Sequence, residues 1–317
     1  MNMNLRMFQI RLTQLLLLLA LVVVSLGAYT RLKDAGLGCP DWPGCYGRWI
    51  VPELTPEAYE KAWIEMVHRY AAGFLGLGIL SLALISLKQQ SKQLLPWLLV
   101  GLVAFQAALG MWTVTLKLYP IVVMAHLLGG ILITMGLCWW LLQQRGSQPV
   151  IPRFDSGTQN LILLSLIVLF IQLILGGWTS ANYAALVCLD FPLCHGMTNP
   201  PMAWLEAFNF FKAGNPGSPG APLGYLARAT VHMAHRYWAL ITTFILLFTW
   251  VRLWNNGYNR WWLALVMGLL AFQIALGITN IVSFLPLVTA WLHHLVAILL
   301  LLSWLVVFRT CFALKTM

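Results

Sequence analysis

The residues in this chain most able to do chemistry are histidines in unusual places. Of seven histidines, His68, His126, His235 and His293 lie inside long apolar runs. An ionisable side chain in such a run is expensive and is a functional hypothesis by default. His68 is about five residues from one end of its run and His126 about six, so at a rise of about 1.5 Å per residue both lie within roughly 10 Å of the same surface. His235 and His293 repeat the arrangement later in the chain. Two imidazoles facing each other at one depth in an apolar helical bundle suit axial ligation of a haem iron, which implies one such site in each half. The competing reading is a histidine satisfied by a hydroxyl or carbonyl of a neighbouring helix. It fits a lone histidine better than two pairs that recur in register. Gly73, Gly76, Gly129 and Gly130 flank the first pair, where small residues leave room for a flat macrocycle or for close helix packing.

Glu65 precedes His68 by one helical turn on the same face, while His232 holds the same place before His235. A carboxylate beside a haem edge can take or give a proton, so the difference suggests that one site does chemistry and the other carries electrons. Glu65, His68 and His126 would also make a facial triad for non-haem iron, which leaves the second pair unexplained. Arg69, Arg228 and Arg236 fall at the rim of the apolar runs, where a guanidinium can hold a propionate in bidentate fashion. Cys39 and Cys45 share one polar loop, and Cys188 and Cys194 share another with identical spacing, which favours a disulfide within each loop. A structural clip is the expectation for Cys188 and Cys194. For Cys39 and Cys45, a redox-active pair that exchanges with a partner stands close behind the structural clip. Cys138 and Cys311 sit in or near apolar runs and are expected to be inert.

The elements that must position these groups follow from composition. The chain has 317 residues, 60% hydrophobic and 9% charged, with a mean hydropathy of +0.80. That excludes an ordinary water-soluble domain. Continuously apolar runs at 10–29, 63–87, 94–116, 120–143, 159–180, 225–252, 260–283 and 287–308 are each long enough to span a bilayer, so the expected fold is an all-α polytopic membrane protein of eight helices. With the N-terminus inside, Arg6, Arg11, Lys88, Lys92, Arg145, Arg153, Arg252, Arg260, Arg309 and Lys315 face the cytoplasm with a single acid, Asp155. The net charge of +10 then records topology and implies no nucleic acid. Arg6 and Arg11 before an apolar run also look like a signal peptide, but the first span has a counterpart later in the chain and is expected to belong to the mature fold.

That counterpart belongs to an internal repeat. At an offset of 149 residues, Gly27, Thr30, Leu37, Cys39, Asp41, Pro43, Cys45 and Gly47 meet Gly176, Thr179, Leu186, Cys188, Asp190, Pro192, Cys194 and Gly196. At an offset of 167, His68-Arg69-Tyr70 meets His235-Arg236-Tyr237, and the stretch from Phe105 to Gly110 meets that from Phe272 to Gly277. The change of offset is an 18-residue insertion that coincides with the Gly/Pro/Ser-rich stretch 214–222, for which no role is apparent. The second offset carries His126 onto His293. His294, its neighbour, keeps the choice of fourth ligand dependent on register. An even number of spans per copy predicts two tandem four-helix bundles, residues 1–150 and 151–317, related by a pseudo-twofold axis along the membrane normal.

The loop Gly36-Leu37-Gly38-Cys39-Pro40-Asp41-Trp42-Pro43, the segment Glu65-Met66-Val67-His68-Arg69, the loop end Asp190-Phe191-Pro192-Leu193-Cys194 and His232-Met233-Ala234-His235-Arg236 together resemble the haem A synthase family over almost the whole chain. The resemblance implies an oxidoreductase that converts the C8 methyl group of haem O to a formyl group, giving haem A for terminal oxidases. It implies that His68 and His126 ligate the substrate haem in the first half, that His235 and His293 ligate a haem b cofactor in the second, and that Glu65 serves the reaction. It further implies a bacterial inner (plasma) membrane, with both termini cytoplasmic and the cysteine loops periplasmic. The implied partners are the lipid bilayer, haem O synthase, an electron acceptor and oxidase assembly factors, with a homo-oligomer left open. The alternative function is a non-catalytic bis-histidine dihaem cytochrome that only passes electrons.

Overall fold

The computed structural model of the chain describes residues 3–87, 94–145, 154–198, 200–210 and 223–312. Lys88, Lys92, Arg153, Lys315 and the 214–222 stretch lie outside the described residues. The described residues form α1 (Met3–Leu32), α2 (Pro56–Leu87), α3 (Leu95–Thr115), α4 (Pro120–Gln144), α5 (Ser156–Ala181), a one-turn α6 (Trp204–Ala207), α7 (Tyr225–Asn255), α8 (Arg260–Val282) and α9 (Leu287–Phe312). All but α6 are long and apolar enough to cross a membrane, so the chain is an all-helical, multi-pass membrane protein. The helices overrun the apolar runs at their polar ends: α2 starts at Pro56, where Glu57 and Lys61 pair at 2.9 Å along its first turns. Hydropathy registers only the part of a helix that meets lipid.

Local sequence sets the helix starts. Proline opens α4 at Pro120, where a missing N–H costs nothing. Asp155 caps α5 by accepting from the Thr158 N–H at 3.2 Å, and Asn259 caps α8 by accepting from the Trp262 N–H at 3.1 Å.

The chain divides into two compact units, one built on α1–α4 and one on α5–α9. In the first, α1 packs on α2 and α4, and α3 packs on α2 and α4. Leu16, Ala20 and Val23 of α1 meet Leu75, Ile79 and Leu82 of α2, Leu99 of α3, and Ile133, Leu137 and Trp140 of α4. In the second, α5 packs on α7 and α9, and α8 packs on α7 and α9. The internal repeat reappears in the backbone: the left-handed residues Asp34, Tyr46, Lys117 and Leu118 match Tyr183, His195, Phe284 and Leu285, and the cis Trp42-Pro43 bond matches Phe191-Pro192.

Buried and lipid-facing apolar side chains should differ sharply in what they contribute. Ile79 is 0% exposed and Phe74, on the same helix, is 68% exposed. Ile79→Ala is expected to cost about 2–4 kcal/mol of stability, and Phe74→Ala far less, read as the unfolding midpoint of the purified protein in detergent.

Candidate functional site

Each of the four candidate ligands lies against a glycine on a neighbouring helix. A methyl group built on Gly27 of α1 would come within 3.1 Å of His68 Cε1, and one on Gly110 of α3 within 3.2 Å of His126 Cε1. The second unit repeats both contacts: Gly176 of α5 against His235 Cε1 and Gly277 of α8 against His293 Cε1, each at 3.1 Å. Of the two adjacent histidines it is His293 that meets Gly277, the glycine that the repeat matches to Gly110. The glycines singled out from the sequence do other work. Gly76 packs on Val103, Gly129 on Gln106, and Gly130 on Val24, while Gly73 faces open space.

The His68 and His126 ring centroids are 6.3 Å apart with planes crossed at 83°. Two imidazoles on opposite sides of one metal, each bonded at about 2 Å, would have centroids about 6 Å apart, so this pair is spaced to share an iron. Nδ1 of both rings is buried with no hydrogen-bond partner, while the rings as a whole are only partly covered by protein. In the second unit His293 Nδ1 is likewise buried without a partner. Gln273 Nε2 approaches His293 Nε2 at 3.3 Å, a contact that a metal on that nitrogen would displace. The matching Gln106 of α3 instead donates to the backbone oxygen of His126 at 2.5 Å.

Above the histidines, the His-Arg-Tyr triplet ties the cysteine loop to the helix. Arg69 Nη1 donates to the carbonyls of Asp41 at 2.9 Å, Pro43 at 3.2 Å and Gly44 at 2.5 Å. Arg236 Nη1 donates to the matching carbonyls of Asp190 at 2.9 Å and Leu193 at 2.8 Å, and its Nη2 to Cys188 O at 2.6 Å. The Tyr70 hydroxyl donates to Trp49 O, and that of Tyr237 to Thr198 O at 2.8 Å. Of the terminal nitrogens expected to face propionates, Arg69 Nη1 and both of Arg236 are turned toward loop carbonyls, and Arg69 Nη2 toward Glu65. Arg228 reaches Tyr183 O at 3.5 Å, and its Nε is buried without a partner.

Both loops close on their own disulfide, Cys39–Cys45 and Cys188–Cys194. Immediately after each ring's second cysteine a two-residue turn, Tyr46-Gly47 or His195-Gly196, has both residues at positive φ, the geometry that makes a tight hairpin and favours glycine at its second position. An aspartate then staples the turn. Asp41 accepts from the N–H groups of Tyr46 and Gly47 at 2.7 and 2.6 Å, and Asp190 from those of His195 and Gly196 at 2.9 and 2.8 Å. Sequence spacing found the disulfides but not the hairpins; the matched Asp-x4-x-Gly pattern was the available signal.

Glu65 is 5% exposed and fully engaged. Its Oε1 pairs with Arg69 Nη2 at 2.5 Å and its Oε2 accepts from the Cys39 N–H at 2.9 Å. The carboxylate thus links the first disulfide loop to the helix that carries His68. In the second unit His232 Nε2 accepts from Arg236 Nε at 3.3 Å. The facial triad is not assembled: among the described residues, the groups with ligand atoms within 4.8 Å of one another do not include Glu65 with His68 and His126. Cys188, Cys194 and His195 do fall in such a group, but the disulfide leaves no thiolate to offer. Cys138 and Cys311 are buried free thiols away from these loops.

Eight membrane-crossing helices in two units that repeat one histidine-bearing arrangement define a multi-pass helical membrane protein. Residues 10–305 match the family model described as cytochrome oxidase assembly protein. The chain is 45% identical over 309 residues to the heme A synthase of Shewanella oneidensis, covering 92% of this chain and 93% of that protein. It is 26% identical to the heme A synthases of Neorickettsia sennetsu, over 90% of this chain and 93% of the relative, and of Sphingopyxis alaskensis, over 89% and 86%. The chain belongs to the haem A synthase family of cytochrome oxidase assembly proteins.

The aspartate staple gives the second loop a defined pH response. The Gly196 N–H, followed by that of His195, holds the Asp190 carboxyl below its ordinary value of 3.8. A depressed carboxylate stabilises above its unfolded value and loses that contribution as pH falls through the folded one. Hydrogen exchange at the His195 and Gly196 amides, corrected for intrinsic rate, should therefore keep constant protection from pH 7 to 5. It should weaken only below about pH 4, and Asp190→Ala should remove it at every pH.

Proposed function

We propose that the chain is an oxidoreductase that makes haem A, oxidising the C8 methyl group of haem O to a formyl group. It works in the bacterial plasma membrane, with both termini in the cytoplasm and the cysteine loops in the periplasm. The observation that carries the reading is the His68–His126 pair, with centroids 6.3 Å apart and each ring seated on a glycine. Haem O is the substrate, held by these two histidines in the first unit. His235 and His293 are the residues that would hold a haem b cofactor in the second unit, and that group supplies one-electron chemistry when bound.

The chain's own residues then have separable tasks. The histidines orient the substrate by its metal. The conversion itself removes four electrons, taken up by an external acceptor, and adds one oxygen atom, drawn from water or dioxygen, so the α1–α4 core must admit that small molecule to the carbon while shielding the rest of the macrocycle. Each oxidation of a C–H bond also releases a proton. Glu65 is the proton acceptor, a carboxylate one helical turn from His68 whose position is fixed by Arg69 and the Cys39 N–H. Arg228, with a buried donor unspent, is the best placed of the three arginines to meet a propionate. The disulfide loops hold Glu65 and the histidine-bearing helices in register through Arg69 and Arg236.

A purely electron-passing cytochrome would bind haem equally well, so the test is turnover. With haem O supplied in membranes, Glu65→Gln should slow conversion by about a hundredfold or more while retaining bound haem. Conversion at the normal rate would remove Glu65 from the reaction and revive the cytochrome reading. Among the adjacent histidines, His293→Ala should abolish the low-spin signal of the second haem and His294→Ala should preserve it, read in the optical spectra of the purified proteins.

A further inference from the structure

The two units differ at a second place beside a candidate ligand. The repeat pairs Gln172 of α5 with Val23 of α1. Gln172 and Gly176 are one turn apart on the same face of α5, and both touch His235. The Gln172 side-chain nitrogen lies 3.2 Å from His235 Nδ1 and 3.3 Å from its backbone oxygen, while Gly176 leaves the space that Cε1 occupies. On α1 the equivalent face offers Gly27 and the apolar side chain of Val23, so the only polar group of Val23 within reach of His68 belongs to its backbone. The consequence is visible in the rings. Nδ1 of His68, His126 and His293 is buried with no hydrogen-bond partner, and Nδ1 of His235 alone among the four has one.

We propose that Gln172 is a positioning residue for His235: it fixes the rotation and tautomer of this one imidazole and so sets how strongly the ring donates to the metal group of the second unit. The inference rests on His235 being an axial ligand there. A ring that gives its Nε2 lone pair to a metal carries its proton on Nδ1, and the partner of that second nitrogen governs ring orientation and basicity. Gln172 Oε1 is buried without a partner. A half-turn of the amide brings it to accept the Nδ1 proton, which makes the imidazole more electron-rich and favours the oxidised metal. The Val23 side chain has no group that could do this for His68, which meets only the Val23 backbone.

The test uses the full-length, haem-loaded protein and reads the midpoint potential and low-spin electron paramagnetic resonance signal of each haem. Gln172→Val, which copies the first unit, should raise the midpoint potential of one haem and broaden its signal, leaving the other unchanged. Gln172→Glu, a stronger acceptor, should lower it. If Gln172→Val fails to fold, Val23→Gln provides the reciprocal reading and should lower the potential of the other haem. Unchanged potentials and signals in the variants that fold overturn the proposal. His235→Ala separates the two levels of failure. If it retains both haems with unaltered spectra, the ligand assignment falls and Gln172 with it; if it loses one low-spin haem while the Gln172 variants stay silent, only the role of Gln172 falls.

Discussion

An imidazole can reach the interior of a tightly packed helical bundle only where the facing helix has no side chain. Four times over, the ring edge of a histidine occupies the place that a glycine leaves, at 3.1–3.2 Å from where a methyl would stand. Ordinary carbon contacts are optimal at about 3.5–4.0 Å, so an alanine at any of these positions would press on the ring or push the helices apart. Small residues are the usual means of close approach between membrane helices, where no hydrophobic difference from lipid drives packing. Here the same residues set the depth and rotation of the groups that could hold a metal. Helix spacing and ligand geometry are thus one constraint, shared between α1 and α2, α3 and α4, α5 and α7, and α8 and α9.

The second constraint works from the aqueous side. The His-Arg-Tyr triplet within α2 and again within α7 sets its histidine against a glycine of the neighbouring helix and its arginine and tyrosine on carbonyls of the disulfide-closed loop and the chain that follows it. Hydrogen bonds that involve a charged partner contribute about 1.5–3 kcal/mol each when broken, against about 1 for neutral ones. Arg69 makes three to loop carbonyls and one to Glu65. A loop held this way cannot drift without dragging α2 with it. The six-residue disulfide and the aspartate staple keep the loop's carbonyls converged on one guanidinium, which a flexible strand of that length would not do.

The eight helices were legible because lipid imposes a long, continuous apolar signal that no local feature can hide. The repeat was legible for a different reason: Cys39 with Cys188 and His68 with His235 recur at constant offsets, and identity at fixed spacing needs no structure to be seen. The glycine seats were not. Gly27 and Gly110 belong to the repeat, yet nothing in a linear chain says that a glycine of one helix faces a histidine of the next, and Gly73, Gly76, Gly129 and Gly130 are nearer the histidines in sequence without seating them. The arginines escaped for a similar reason. A rim position predicts where a guanidinium stands, but not that backbone carbonyls 25 to 28 residues away will claim Arg69 Nη1.

What distinguishes the two units is chemistry placed on a common backbone. In the first, the Arg69 charge is met by a carboxylate; in the second, Arg236 faces His232, whose Nε2 accepts its hydrogen bond and is therefore the unprotonated nitrogen of the ring. Among the described residues Glu65 pairs with Arg69 at 2.5 Å, whereas the acid acting on Arg236 is Asp190 of the loop, whose carboxylate is spent on the His195 and Gly196 N–H groups. A positive charge in a poorly screened site favours an added electron and attracts anionic substituents. Gln172 lies against the His235 ring, its amide nitrogen 3.2 Å from Nδ1 and 3.5 Å from Nε2. The unit with Glu65 and Val23 has neither that histidine nor that amide, and has instead a carboxylate one helical turn from His68.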